Sequence, residues 1–258
     1  MDEVGIVTVA FNQMVSSIPG YIERLKEGME KEQELKEKEL LMEAHLKDAR
    51  LKYLQAQINP HFLYNTLDAI VWLIEIGKND QAEQMVTSLS SYFRSFLSDG
   101  RDIVTIGEEK EHIKSYLEIQ QVRYRDIMEF EIDIAPEIEK NKIPKMTLQP
   151  LVENAIYHGL KPKRGKGMIV VTGSCDDKDI ILQVSDTGAG MTAEELSALK
   201  ERVRGEDPGS FGLTSAYKRL MLLYGEDCSF DIVSDPDRGT TIKITIPRRA
   251  EIDDETIL

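Results

Sequence analysis

Apolar residues along this chain keep two periods, steps of three and four through the first half and alternation in much of the second. Val7, Phe11, Met14 and Ile18 share one helical face. From Gly28 to Ile58 the chain is dense in Glu, Lys and Leu, with Leu35, Met42, Leu46, Ala49, Tyr53 and Ala56 mostly alternating three- and four-residue steps. A long helix that is polar on most sides is poorly stable by itself, so the spacing predicts a coiled coil with a second copy, a parallel homodimer. Pro19-Gly20 predicts a kink or break between the two stretches. Ile76-Gly77-Lys78-Asn79 reads as a helix stop, after which Ala82, Val86, Leu89, Phe93 and Phe96 step by four and three until Asp99-Gly100, giving two antiparallel helices. Thr105 and Glu108 have capping-box spacing and open a further helix through Ile113, Leu117 and Tyr124.

The period changes near Ile127. Glu129 to Ile134 alternates, and similar patterns recur at Met168 to Thr172, Ile180 to Val184, Ser229 to Val233 and Thr241 to Ile246, with helical segments at Met146 to Leu160 and Leu213 to Tyr224 between them. The expected fold class is therefore α+β, a long helical bundle followed by a mixed sheet with helices on one face. The expected divisions are a helix over 1–20, a coil over 21–57, a helical hairpin and its following helix over 58–126, a sheet domain over 127–248 and a tail over 249–258.

Composition narrows the classes of function. A net charge of −14 opposes nucleic-acid binding and contact with an acidic membrane surface, so neither is expected, and any anionic ligand needs local help. Two cysteines far apart indicate neither a disulfide framework nor a zinc site and suit a reducing cytosol. No run approaches the roughly 20 apolar residues of a membrane span, and the N-terminus lacks the pattern of a signal peptide, so the chain reads as soluble.

Candidate chemistry begins at Gln57-Ile58-Asn59-Pro60-His61-Phe62-Leu63-Tyr64-Asn65, where a histidine follows a proline inside helical sequence. Imidazole accepts a phosphoryl group at neutral pH. Pro60 either kinks a continuous helix or, capped by Asn59, starts a new one, and both readings stay open. Asn65 lies one turn beyond His61, within reach of the nucleophile or a water.

Downstream, Leu148-Gln149-Pro150-Leu151-Val152-Glu153-Asn154 leads into His158 one turn on and Lys161 a further turn along. An amide oxygen suits magnesium, and imidazole and ammonium suit phosphates. Asp186-Thr187-Gly188-Ala189-Gly190 follows a strand, so a carboxylate able to accept from the exocyclic amine of adenine meets two glycines that let backbone approach closely. Residues 192–211 read as a flap. Gly212-Leu213 opens a helix whose first amides favour phosphate oxygens. Gly239-Thr240-Thr241 begins the last strand, where a hydroxyl can support the Asp186 carboxylate or bind a water beside it.

The succession Glu153-Asn154-Ala155, Asp186-x-Gly188-x-Gly190, Gly212-Leu213 and Gly239-Thr240-Thr241 resembles the ATP-binding boxes of the Bergerat or GHKL fold, a two-layer α/β sandwich shared by histidine kinases, gyrase, Hsp90 and MutL. With the His61 stretch and Tyr116-Leu-Glu-Ile-Gln-Gln-Val-Arg123-Tyr, it looks like the LytS/YesM type of sensor histidine kinase. The resemblance covers roughly residues 50–248; residues 1–20 resemble part of a HAMP linker. It implies His61 as phosphoacceptor, Asn154 as Mg²⁺ ligand, Asp186 as adenine reader, ATP as phosphoryl donor, a response regulator as partner, and a place as the cytoplasmic part of a membrane receptor. Where the family reads Gly-x-Gly-Leu-x-Asn this chain has Ser210-Phe211-Gly212-Leu213-Thr214-Ser215, which leaves open a partner that binds ATP without autophosphorylating. No Gly-x4-Gly-Lys-Ser/Thr occurs.

Overall fold

The structure, a computed structural model, describes residues 31–43, 60–96, 101–124, 127–163, 165–205 and 211–248, with isolated residues and two adjacent pairs elsewhere before 46. The HAMP-like face from Val7 to Ile18, the coil positions from Leu46 to Ala56 and the Asn59 cap lie outside the described residues. Backbone contacts divide the chain into residues 1–63 and 64–258. In the first unit residues 31–43 are one exposed helix with an i,i+4 pair at 2.7 Å between Lys38 and Glu34. Pro19 and Gly20, where a break is expected, are both helical.

Helix α1, Pro60–Glu75, carries His61 exposed near its described start. It stops where expected: Gly77 takes φ +74, and its N–H and that of Lys78 donate to the carbonyls of Ile74 and Leu73 at 3.0 and 2.8 Å. Thr66, Ile70 and Leu73 are buried at i, i+4, i+7 spacing, whereas Tyr64, Leu67, Val71 and Ile74 form an exposed apolar stripe on an adjoining face. Helix α2, Asn79–Phe96, follows α1 in sequence and buries Ala82, Met85 and Tyr92.

Strand β1, Ile103–Thr105, pairs antiparallel with β3, Lys142–Pro144, a two-stranded ribbon too short to show an alternating pattern. Between them, α3, Ile106–Arg123, starts at the predicted capping box: the Glu108 N–H donates to Thr105 Oγ1 at 3.1 Å and the Thr105 N–H to Glu108 Oε2 at 2.7 Å. This helix is buried on much of its surface and packs against α2.

The main sheet orders its strands β2 (Met128–Ile134), β4 (Gly167–Cys175), β5 (Asp179–Asp186), β7 (Gly239–Pro247) and β6 (Ser229–Asp235). The β2–β4 pair is parallel and the rest antiparallel, so the sheet is mixed as expected. Alternate residues face inward: Ile169 and Val171, Leu182 and Val184, Ile242 and Ile244, Phe230 and Ile232 are buried. Each such side chain contributes about 1.5–3 kcal/mol by leaving water. The facing layer contains the Gln149–Leu160 helix, α4; α5, Ala193–Arg204; and α6, Phe211–Tyr224. Helix α4 is α-helical to Asn154 and π-helical from Ala155 to Leu160.

Candidate functional site

Asp186 ends β5 and is buried. Its Oδ1 accepts from the Gly188 N–H at 2.7 Å, and the Thr240 N–H is a second backbone donor to the same carboxylate. Burial outweighs both and pushes the carboxyl up to about 6. The expected support from a hydroxyl takes a different form: Thr240 supplies its backbone, while its Oγ1 lies 2.9 Å from Ser234 Oγ.

The glycines around Asp186 are required by contact. A Cβ on Gly159 would meet Asp186 Oδ1 at 2.5 Å, and one on Gly188 would overlap the Gly159 backbone. Gly190 and Gly239 take φ of +65 and +92, and a side chain at either would overlap the carbonyl of Asp235 or Asp186. Two cross-links hold the loop: the Ala189 N–H donates to the Gly159 carbonyl at 3.0 Å and the Asp237 N–H to the Ala189 carbonyl at 2.6 Å. The Asp186 loop is thereby clamped between the end of α4 and the β6–β7 turn.

In front of this loop is a cavity of about 800 Å³, within the range of small-molecule sites. Glu153, Asn154, His158, Gly190, Gly212, Leu213 and Thr240 all line it. Asp186 and Gly188 are not themselves among the lining residues; they stand next to the cavity, bonded to or in contact with Thr240 and Gly159. Lys161 and Thr241 are not among the lining residues. The Lys161 ammonium sits over the Tyr157 and Tyr124 rings, 4.4 and 4.9 Å from their centroids. Thr241 points to the other face of β7, with its Oγ1 3.0 Å from Ser185 Oγ, because neighbouring strand residues alternate faces. His61 and Asn65 are described on α1, one exposed and one half-buried.

Tyr157, Met191, Glu195 and Arg202 also line the cavity and were not expected there. Glu195, Ala198, Leu199 and Arg202 lie at i, i+3, i+4, i+7 on α5, so the inward face was readable from spacing. Helix α5 starts at a second capping box, Thr192 with Glu195. At the start of α6 the Gly212 Cβ position stands 3.4 Å from Pro150 Cβ, an ordinary contact. Ser215 accepts from Arg219 Nη1 at 3.0 Å, and Ser210 lies outside the described residues.

The donor set suits a magnesium nucleotide. Magnesium keeps several waters and needs only one or two protein oxygens beside phosphates, and Asn154, whose side chain carries an amide oxygen, is among the residues that line the cavity. Among the described residues no group of three or more His, Cys, Asp or Glu forms an all-protein metal cage. Arg202 and the α6 residues Gly212 and Leu213 line the cavity, so one guanidinium and amides near a helix start face it beside the carboxylates of Glu153 and Glu195.

A mixed sheet covered on one face by helices, with the Asp186 loop and the Asn154 helix bordering one cavity, defines the GHKL class of ATP-binding domain. The family described as histidine kinase-, DNA gyrase B-, and HSP90-like ATPase matches residues 140–250, and that described as histidine kinase matches residues 49–128. The chain is 37% identical over 251 residues to the sensor histidine kinase YesM of Bacillus subtilis, covering 97% of this chain and 40% of that protein. It is 32% identical to the sensor histidine kinase BtsS of Escherichia coli, covering 81% and 35%, and 34% identical to the sensor protein LytS of Staphylococcus saprophyticus, covering 79% and 34%. The chain belongs to the sensor histidine kinases of the LytS/YesM type. It spans well under half the length of these relatives. No helix among the described residues is long and apolar enough to cross a membrane.

Proposed function

We propose that this chain is the kinase portion of a two-component sensor. ATP bound in the Asn154–Asp186 cavity donates its γ-phosphoryl group to His61, and the phosphohistidine then passes it to an aspartate of a response regulator. The observation that carries this reading is the gathering of Glu153, Asn154, His158, Gly190, Gly212 and Thr240 around one cavity beside buried Asp186, in a chain that also bears the exposed His61.

In the reaction the lone pair of a neutral His61 nitrogen forms a P–N bond as the bond to the ADP oxygen breaks. Asp186 accepts from the exocyclic amine of adenine and sets the base in place. His158, Arg202 and the first α6 amides hold phosphate oxygens, so positioning and charge stabilisation carry the catalysis. Asn154 is the magnesium ligand; magnesium supplies charge neutralisation on the phosphates when bound. Residues 127–248 serve as the catalytic domain and 58–126 as the dimerisation and phosphotransfer helices. Residues 1–57 carry input from a membrane-anchored receptor of which this is the cytoplasmic portion. The exposed Tyr64, Leu67, Val71 and Ile74 stripe supports a homodimer, because an apolar helix face of this width is stable in water only when covered.

His61→Gln tests the assignment. Acid-labile label from [γ-³²P]ATP should disappear while nucleotide affinity stays within about twofold of wild type, as for a side chain outside the pocket. Label that persists, or that resists acid, would refute it.

A further inference from the structure

Three polar side chains behind the cavity, Ser95, His112 and Gln149, go unused in the phosphoryl-transfer reading and form a chain that ends on Glu153 in the cavity lining. Ser95 Oγ on α2 stands 2.7 Å from His112 Nδ1 on α3, and His112 Nε2 stands 2.6 Å from Gln149 Oε1 on α4. The Gln149 amide nitrogen then donates to Glu153 Oε1 at 2.9 Å and to the Tyr92 hydroxyl at 3.2 Å. The Tyr92 ring in turn stacks on His112 with centroids 4.7 Å apart. His112 and Gln149 are 4% and 5% exposed, so this chain lies inside the protein, whereas its last member lines the cavity.

The donors and acceptors give the chain one direction. With its nitrogen committed to Glu153 and Tyr92, Gln149 presents an oxygen to His112, so the ring must carry its proton on Nε2. Burial holds His112 below the ordinary histidine range and therefore neutral, which makes Nδ1 an acceptor for the Ser95 hydroxyl. That hydroxyl has the Tyr92 carbonyl at 2.9 Å as its alternative acceptor. A helix interface needs no such arrangement for stability: apolar side chains of similar volume serve as well or better, whereas a buried polar chain fixes one geometry. The same two helices repeat the theme one and two turns on, where Gln120 Nε2 donates to the Tyr116 and Tyr157 hydroxyls at 2.8 and 3.5 Å.

We propose that His112 and Gln149 are positioning residues for phosphoryl transfer, holding the Glu153 carboxylate in one orientation in the cavity and tying that orientation to helix α2 through Ser95 and Tyr92. The inference rests on the reading of the cavity as the ATP site. It assigns His112 no contact with nucleotide, and it makes the placement of α2 a determinant of rate.

The test uses the full chain as wild type, His112→Leu, Gln149→Leu and His112→Gln, measuring affinity for a fluorescent ATP analogue and the first-order rate of labelling at saturating ATP. Both leucine variants should bind the analogue within about twofold of wild type and label about tenfold or more slowly, a split that general loss of packing does not produce. His112→Gln retains an N–H for Gln149 Oε1 and should recover most of the rate. Unchanged rates in the leucine variants, loss of affinity in step with rate, or a glutamine variant as slow as His112→Leu would overturn the inference while leaving the ATP-site reading intact. A wild-type chain that neither binds the analogue nor labels would refute that reading, and this inference with it.

Discussion

At the scale of single residues, the site depends on where a Cβ is forbidden and on one carboxylate. Gly188→Ala would drive a methyl into the Gly159 backbone and force the Asp186 loop apart, whereas the same change at Gly212 meets only Pro150 Cβ at 3.4 Å. Isothermal titration with a non-hydrolysable ATP analogue should show affinity falling at least about tenfold for Gly188→Ala, the cost of strain at an over-determined loop, and less than about threefold for Gly212→Ala. Equal effects would mean that the loop is not the rigid wall described. Asp186 gives a pH dependence. Burial raises its folded value to about 6 from an ordinary carboxyl near 3.8, so the fold favours the protonated form, and ionisation costs stability as pH rises through that window. Binding has the opposite sign. The ionised group is the stronger acceptor for the adenine amine, so affinity should weaken as pH drops below about 6 and should lose that dependence in Asp186→Asn. A flat affinity from pH 5 to 8 in the wild type would remove Asp186 from the adenine-reading role.

At the scale of elements, sequence pattern read some features well and others not at all. The capping box at Thr105 and Glu108, the Gly77 stop and five alternating strands follow from short-range chemistry, and each lies where its spacing places it. The β1–β3 ribbon is three residues a strand, below the length at which alternation can be seen. The π-helical turn from Ala155 to Leu160 is also invisible to periodicity, since it keeps helical composition while widening the spacing at His158. Lys161 was placed toward the ligand by ideal helical spacing, and the cation–π contacts with Tyr157 and Tyr124 take its ammonium elsewhere. The apolar stripe on α1 carries a prediction of its own. Leu67→Glu with Val71→Glu puts two charges on a face exposed in the single chain, so the fold should survive while the homodimer dissociates. Sedimentation of this double variant should give a monomer with the helical content of wild type. A dimer of undiminished stability would place the interface elsewhere.

At the scale of the whole molecule, the charge balance and the site fit together. A chain of net charge −14 disfavours polyanions over most of its surface, so under the proposed reading a triphosphate depends on the local groups of the cavity, Arg202, His158 and the backbone amides at Gly212 and Leu213. The ATP-binding boxes were legible because each needs particular residues: a carboxylate at a strand end, glycines where a side chain would overlap, an amide on a helix. The buried chain from Ser95 to Glu153 was not legible, because its members lie 17, 37 and 4 residues apart and nothing local in the sequence couples them. The central claim is that one chain holds both the nucleotide pocket and the acceptor histidine. Its most direct test is site mapping by tandem mass spectrometry, at neutral pH, of the chain incubated with magnesium and ATP. Phosphate is expected on His61 in the wild type and on no residue of Asp186→Asn; phosphate on His45, His112, His158 or a hydroxyl side chain in place of His61 would refute the pairing of this pocket with this histidine.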